Sequence, residues 1–301
     1  MFIRKKRKGN TVYYELVQTV RRQGKVKQEV LKYFSSLSEA TEYCEKHGLK
    51  LPKCELIERP IASRITEKLE RLNSLRPLPQ STLESLREKL EVEMTYHSNA
   101  IEGNRLTLRE TWLVLKRGVT IGGKSVEEHL EATNHLEAIL LLEALARSRQ
   151  SVSEADVLKL HAVILDKIRS DAGQYRRGRV FIAGAKHVPP SPKLVPELMK
   201  EVLQELNSSS KGIDAVISAA RLHHRLAWIH PFTDGNGRLA RLLTNLRLMH
   251  AGFPPIILKK PERRAYYSTL EKADAGDLVP LTMFMAKHVE EALDLYLKVA
   301  S

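Results

Sequence analysis

Twelve consecutive residues, His230-Pro231-Phe232-Thr233-Asp234-Gly235-Asn236-Gly237-Arg238-Leu239-Ala240-Arg241, gather a titratable base, a carboxylate, two glycines and two arginines. Gly235 and Gly237 flank Asn236. Glycine permits positive φ and close backbone approach, so successive N–H groups can converge on an anion. A helix starting here adds its unpaired N–H groups and the positive end of its dipole. Arg238 and Arg241 fall in the first turns, where a cation opposes the dipole unless an anion joins it. A di- or triphosphate satisfies both, and arginine's planar fork suits phosphate oxygens. The plainer alternatives are a glycine turn between helices and arginines that are solvated or paired with Asp234. Asp234 has two competing roles, helix N-cap or Mg²⁺ ligand beside substrate phosphates. His230 has the near-neutral ordinary pKa of a base for a hydroxyl, although a histidine at a helix end is commonly structural. His223 and His224 read as structural, and Phe232 as an apolar anchor. No HExxH or cysteine set accompanies the histidines, which argues against zinc.

A second group with chemical potential lies upstream, in Ser98-Asn99-Ala100-Ile101-Glu102-Gly103-Asn104. Gly103 is a natural residue to end a helix. Glu102 therefore occupies the last turn, where its charge opposes the dipole. It is either an exposed glutamate at small energetic cost or the partner of a buried arginine.

These groups need a frame. The loop joins two amphipathic helices: apolar residues at 216, 219, 220, 226 and 227 precede it, and Leu239, Leu242, Leu243 and Leu246 follow at i, i+3, i+4, i+7. Helical periodicity is also expected over 61–75, 82–101, 107–117, 125–147, 153–168, 193–207, 262–274 and 278–298. One run, Tyr175-Arg176-Arg177-Gly178-Arg179-Val180-Phe181-Ile182-Ala183-Gly184, reads as a short strand before a Pro189-Pro190 turn. Helices of this length and amphipathicity bury their stripes on one another, so the fold class is mainly α, a helical bundle with a short β flap. Residues 1–36 differ. Thr11–Val17 and Val26–Phe34 are rich in β-branched and aromatic residues, with turns at Gly9-Asn10 and around Gly24, giving an antiparallel meander of about three strands that is too small to stand unpacked. Ser38 caps a short helix that Gly48 ends, and Leu51-Pro52 and Arg59-Pro60 mark a linker. The expected organisation is a small basic β-rich unit at 1–56, a helical segment at 57–106 and a helical core at 107–301.

The loop sequence is similar to the Fic-domain motif HPFxDGNGRxxR at every specified position, and the resemblance runs over about residues 61–298. It implies a protein adenylyltransferase that moves AMP from ATP to a Ser, Thr or Tyr hydroxyl of a target protein, releasing pyrophosphate. By position, His230 would be the general base and Asp234 would hold Mg²⁺. Gly235, Asn236 and Gly237 would cradle the phosphates with Arg238 assisting, and Arg241 would hold the γ-phosphate. Residues 180–184, with His187-Val188-Pro189-Pro190, resemble the flap that docks the target by main-chain pairing. Arg264–Tyr267 and Glu271–Asp274 resemble the adenine-pocket helix, with Tyr267 lining the base; Asp274 stands where some relatives carry Asn. Ser98 and Glu102 fall on the fixed positions of the family's inhibitory motif, [S/T]xxxE[G/N]. The resemblance thus implies autoinhibition in cis through a Glu102–Arg241 pair, and in some relatives the same glutamate supports removal of AMP. Many relatives form homodimers.

The charge distribution suggests a rival reading. Residues 1–36 hold ten Lys or Arg against Glu15 and Glu29, a net of +8 within a chain total of +13. Tyr13, Tyr14, Tyr33 and Phe34 are interleaved, a composition suited to nucleic acid, a solvated face or recruitment of a protein. The strands look similar to the basic N-terminal strands of some insertion-element transposases. The alternative function is accordingly a nucleic-acid-associated regulator with a silent catalytic core. No apolar run approaches bilayer length and no leader pattern follows the basic start, so the expectation is a cytoplasmic protein away from the membrane, with Cys44 and Cys54 reduced.

Overall fold

The computed structural model describes residues 2–8, 11–22, 25–35, 37–47, 49, 56–148 and 150–300. The expected turns at Gly9-Asn10 and Gly24, the helix stop at Gly48, the Leu51-Pro52 linker and Cys54 lie outside the described residues, as does the side chain of Ser38.

Three antiparallel strands come first: β1 (Phe2–Lys8), β2 (Thr11–Arg22) and β3 (Lys25–Phe34), with β2 central. The β2–β3 register shifts between Leu16 and Val17. Helix α1 (Leu37–Lys46) follows, and Glu39 in its first turn accepts from the backbone N–H and hydroxyl of Ser35. One sheet face closes a small core of Ile3, Tyr14, Leu16, Phe34, Ala40, the free cysteine Cys44 and Leu56. Ile217, Leu278 and Val279 of the helical bundle pack against it, which supplies the support that three strands need.

The bundle comprises α2 (Arg59–Ser74), α3 (Gln80–Glu102), α4 (Leu108–Arg117), α5 (Val126–Ser148), α6 (Glu154–Ile164), α7 (Val195–Leu206), α8 (Gly212–Ile229), α9 (Asn236–His250), α10 (Arg263–Asp274) and α11 (Val279–Ala300). Arg59-Pro60 opens α2 and is not part of a linker, because proline's fixed φ and missing N–H are tolerated in a first helical turn. Capping boxes start α4 (Thr107 with Glu110) and α6 (Ser153 with Asp156). Helix α6 stops at Ile164, short of the expected 168. There Asn134 of α5 donates to the Asp166 carbonyl at 2.8 Å, and Lys167 takes a left-handed φ of 57°.

Two apolar cores share the α8–α9 pair. One joins it to α5, α6 and α7 around Leu160, Met199, Leu226 and Phe232; the other joins it to α2, α10 and α11 around Ile65, Ala219, Tyr266 and Met285. The loop at 230–235 is therefore held by helices buried on both sides. Among the described residues, no helix is long and apolar enough to cross a membrane.

Candidate active site

Helix α8 ends at Ile229, and His230 closes it with a left-handed φ of 50°. Pro231 cannot continue the helix. Phe232 then turns fully inward and stacks on His161 of α6, ring centroids 3.6 Å apart. The Asn236 amide braces the corner: its Oδ1 accepts from the Phe232 N–H and its Nδ2 donates to the Phe232 carbonyl, both at 2.9 Å. Gly235 has φ 73° and lies against His161, where a Cβ would meet Nε2 at 3.2 Å. His161 Nδ1 accepts from the Gly173 N–H at 2.8 Å, so Nε2–H donates to the Asp234 carbonyl at 2.9 Å. Burial lowers the His161 pKa, which keeps the ring in this neutral tautomer.

Arg241 is buried one turn into α9. Its Nε donates to Ser98 Oγ at 2.9 Å, and its Nη2 donates to the Ser98 carbonyl at 3.0 Å and to Glu102 Oε1 at 2.7 Å. Nη1 has no hydrogen-bond partner among the described residues. A Cβ on Gly237 would collide with Glu102 Oε1 and would lie 3.2 Å from Arg241 Nη1. The Glu102 carboxylate thus occupies the concavity that the missing side chain of Gly237 leaves open over the start of α9. Gly103, with φ 113°, ends α3 and lets Glu102 stand at that edge.

Asp234 Oδ1 accepts from the Gly235 N–H at 2.6 Å, and Oδ2 lies 3.6 Å from Arg238, with the side chain 51% exposed. Gly235 takes the N-cap position, so Asp234 sits one residue before it. Arg238 is buried and gives Nη1 to Glu131 Oε1 of α5 at 2.8 Å. The other Glu131 oxygen accepts from Asn104 at 2.8 Å, tying the end of α3 to the start of α9 through α5. Burial raises the Glu131 pKa, against the pull of Arg238. His230 is half-buried. Burial lowers its pKa; a hydrogen bond to the Ala227 backbone works the other way, Arg176 lowers it further, and Glu102 and Asp234 raise it.

Among the expected groups, the structure brings together His230, Asp234, Gly237, Arg241, Ser98 and Glu102. The side chains of Arg238 and Asn236 are committed within the protein. Tyr266 is buried against His223, its hydroxyl 2.7 Å from Nε2, whereas Tyr267 is partly exposed under the Arg263 guanidinium. Asp274 pairs with His224 at 2.8 Å. Residues 180–184 do not form the expected strand. Val180–Ile182 has the propensity, but among the described residues no strand pairs with it, so the segment runs open with Phe181 80% exposed and a turn at Ala183-Gly184. Its ends are pinned: His187 Nε2 meets the Trp228 carbonyl at 2.9 Å, and Arg176 bonds both flap ends and the His230 carbonyl. Arg176, His161 and Glu131 escaped the sequence reading. For His161 and Glu131 the only local signal was a polar residue inside a helical pattern, and for Arg176 a charge in a run of strand-like residues; neither reveals partners 50 to 110 residues away. Among the described residues no group of three or more His, Cys, Asp or Glu could hold a metal.

The Fic/DOC family pattern matches residues 151–248, which span α6 to α9 and the whole loop. The Fic-1 fragment (aa134–508) from C. elegans is 36% identical, with a TM-score of 0.70 over 79% of this chain and 72% of that one. The chain belongs to the Fic/DOC family. A Fic-domain-containing signaling protein from Bacteroides thetaiotaomicron superposes with a TM-score of 0.73 at 28% identity, over 79% of this chain and 97% of that one. The protein adenylyltransferase Fic of Drosophila mojavensis is 35% identical over 274 residues, 89% of this chain and 54% of its own length. This Fic protein thus spans about half the length of the curated relatives it matches. Residues 2–73 also match the N-terminal domain of the IS1634 family transposases. That match extends past the strands through α1 and into α2, beyond the 1–36 seen in the sequence alone.

Proposed function

We propose that this Fic protein transfers AMP from ATP to a Ser, Thr or Tyr hydroxyl of a target protein, and that Glu102 holds it inactive. One observation carries the reading. An anionic group, the Glu102 carboxylate, already lies in the Gly237 concavity on Arg241, where a terminal phosphate would sit. The unpartnered Nη1 of Arg241 gives that concavity a free donor.

In the reaction, the target oxygen attacks the α-phosphorus, the bond to the bridging oxygen breaks, and pyrophosphate leaves. The hydroxyl proton passes to His230. One ring nitrogen is engaged with the Ala227 backbone, leaving the other to accept, and the lowered pKa keeps the ring neutral and able to do so at pH 7. The α9 N-terminus and Arg241 neutralise the β- and γ-phosphates and orient the α-phosphorus, so catalysis rests on positioning and charge. The half-exposed Asp234, with one oxygen engaged only at 3.6 Å, suits a single protein carboxylate in a Mg²⁺ shell completed by substrate phosphates. That ion would neutralise developing charge on the leaving pyrophosphate. Tyr267 flanks the site and supplies a face for the adenine ring. Phe181 and its neighbours offer open backbone for a target strand.

The test compares α- and γ-³²P-labelled ATP with the Glu102→Gly protein. Label retained on protein from the α position alone supports adenylyl transfer; label from the γ position overturns it in favour of phosphoryl transfer.

A second proposal concerns partners. The register sets Arg4, Lys6, Tyr13, Glu15 and Tyr33 on one sheet face, with Tyr33 exposed and its ring 6.1 Å from Tyr13. With the transposase match, this basic aromatic face supports nucleic acid as its partner. Arg4→Glu with Lys6→Glu should lower the salt at which the protein elutes from immobilised DNA or RNA; unchanged elution sinks the idea.

A further inference from the structure

Arg176 stands near the start of the run expected as a strand and carried no role in that reading, yet it is 3% exposed beside the His230 corner. Its guanidinium makes four bonds to main-chain carbonyls: Nε to His230 at 2.7 Å, Nη1 to Gly178 at 3.1 Å, and Nη2 to Pro190 at 2.6 Å and Ile229 at 3.3 Å. Its own N–H donates to the Pro231 carbonyl at 3.0 Å. Gly178 and Pro190 bound the flap; Ile229, His230 and Pro231 are the end of α8 and the corner beyond it. No carboxylate pairs with Arg176 among the described residues. Its charge is balanced by carbonyl oxygens, including those that the end of α8 leaves without helical partners.

Resting on the transferase reading, we propose that Arg176 is a positioning residue that fixes the base of the target-docking flap to the backbone of His230. One planar fork thereby sets both where the target hydroxyl arrives and where the base stands. Arginine is required by the geometry. Five N–H donors in a rigid plane can serve carbonyls from two flap ends and one helix end together, whereas lysine's single ammonium on a flexible stem cannot. His230 has a left-handed φ that is uncommon for a residue with a side chain, so its conformation depends on such external holds. The held segment is open between the tethers, with Phe181 and Val188 exposed, so the pinned ends are what give it a defined path.

The charge has a second effect. Burial is the main cause that favours the neutral His230 ring; of the charged groups around it, Arg176 at the flap base adds to that, while Glu102 at the end of α3 and Asp234 in the loop oppose it.

The experiment uses the full chain carrying Glu102→Gly as parent, with Arg176→Gln and Arg176→Lys added. Four quantities are read: AMP transfer onto the protein's own chain, MgATP affinity by calorimetry, trypsin cleavage at Arg177, Arg179 and Lys186, and the His230 ring midpoint by NMR. In Arg176→Gln we expect transfer to fall by about tenfold or more, the size expected for misplaced reacting groups. MgATP affinity should stay within about twofold, flap cleavage should quicken by about fivefold or more, and the His230 midpoint should move up. Arg176→Lys keeps the cation, so its midpoint should stay at the parent value while transfer and flap protection still fall. Parent-level transfer and flap protection in a folded Arg176→Gln protein overturn the proposal, as does a loss of MgATP affinity equal to the loss of transfer. If far-UV circular dichroism shows Arg176→Gln unfolded, Arg176→Lys decides by the same readings. If the parent itself transfers no AMP, the transferase reading fails, and flap cleavage with the His230 midpoint still decides the role of Arg176.

Discussion

Arg241 is the residue on which the account turns. It is buried at the start of α9, saturated on one side by Ser98 and Glu102, and open at Nη1 toward Gly237. Two substitutions remove Glu102 from the cradle and should act in opposite ways. Glu102→Gly empties it and should raise self-labelling with AMP. Gly237→Ala should expel the carboxylate too, since a Cβ collides with Oε1, but it fills the phosphate position and should give no activation. Activation by Gly237→Ala in a labelling assay would mean that phosphate binds elsewhere. His230 gives a pH prediction at the same scale. Its pKa lies below the usual 6.5 mainly through burial, so the ring stays deprotonated to lower pH. The rate of the Glu102→Gly enzyme should fall only as pH drops below about 6.5, and a half-maximal point above that value would contradict the assignment. The motif residues were legible because their chemistry is local: a glycine pair, a helix start and two arginines one turn apart. Arg176, His161 and Glu131 were not, because each acts on atoms of a distant segment and its type alone carries no address.

At the scale of elements, the end of α3 that carries Glu102 is held by more than that glutamate. Asn104, just past its end, donates to the Glu128 carbonyl at 3.0 Å and to Glu131 at 2.8 Å, and its Oδ1 accepts from Leu106 N–H. Asn99 donates to the Glu131 carbonyl. Asn104→Ala removes three bonds, about 1 kcal/mol each. It should loosen the end of α3, lower the melting temperature and lift basal AMP transfer above wild type but below Glu102→Gly. Basal transfer unchanged in a destabilised Asn104→Ala protein would show that the Glu102–Arg241 pair alone holds the helix. The helices themselves were readable from periodicity, and their observed ends differ where a distant side chain or a proline rule intervenes. Asn134 captures the carbonyls beyond Ile164 and shortens α6, and Pro60 opens α2 where a linker was expected. The flap is the instructive failure. Val180–Ile182 has the residues of a strand, but a strand needs an edge to pair with, and the sequence does not say whether that edge belongs to the same chain.

At the scale of the molecule, the loop sits between two cores that share α8 and α9, and the basic sheet leans on the same bundle through Ile217, Leu278 and Val279. Two buried histidines tie this packing to pH. Burial pushes His135 and His223 down to about 3, with nearby Arg241 adding to it. Their unfolded pKa is near 6.5, so the stability from keeping them neutral is fully present above pH 6.5 and is lost as pH falls toward 3. Each should remove about 2 kcal/mol between pH 7 and pH 5. Urea midpoints at the two pH values measure this, and a midpoint as high at pH 5 would contradict it.

The most direct test of the whole account is the intact mass of wild type, Glu102→Gly and Glu102→Gly with His230→Ala after incubation with ATP and Mg²⁺. The account predicts an added AMP in the Glu102→Gly protein, little in wild type and none in the double variant. Equal AMP addition to wild type and Glu102→Gly, or full addition to the protein lacking His230, would contradict it.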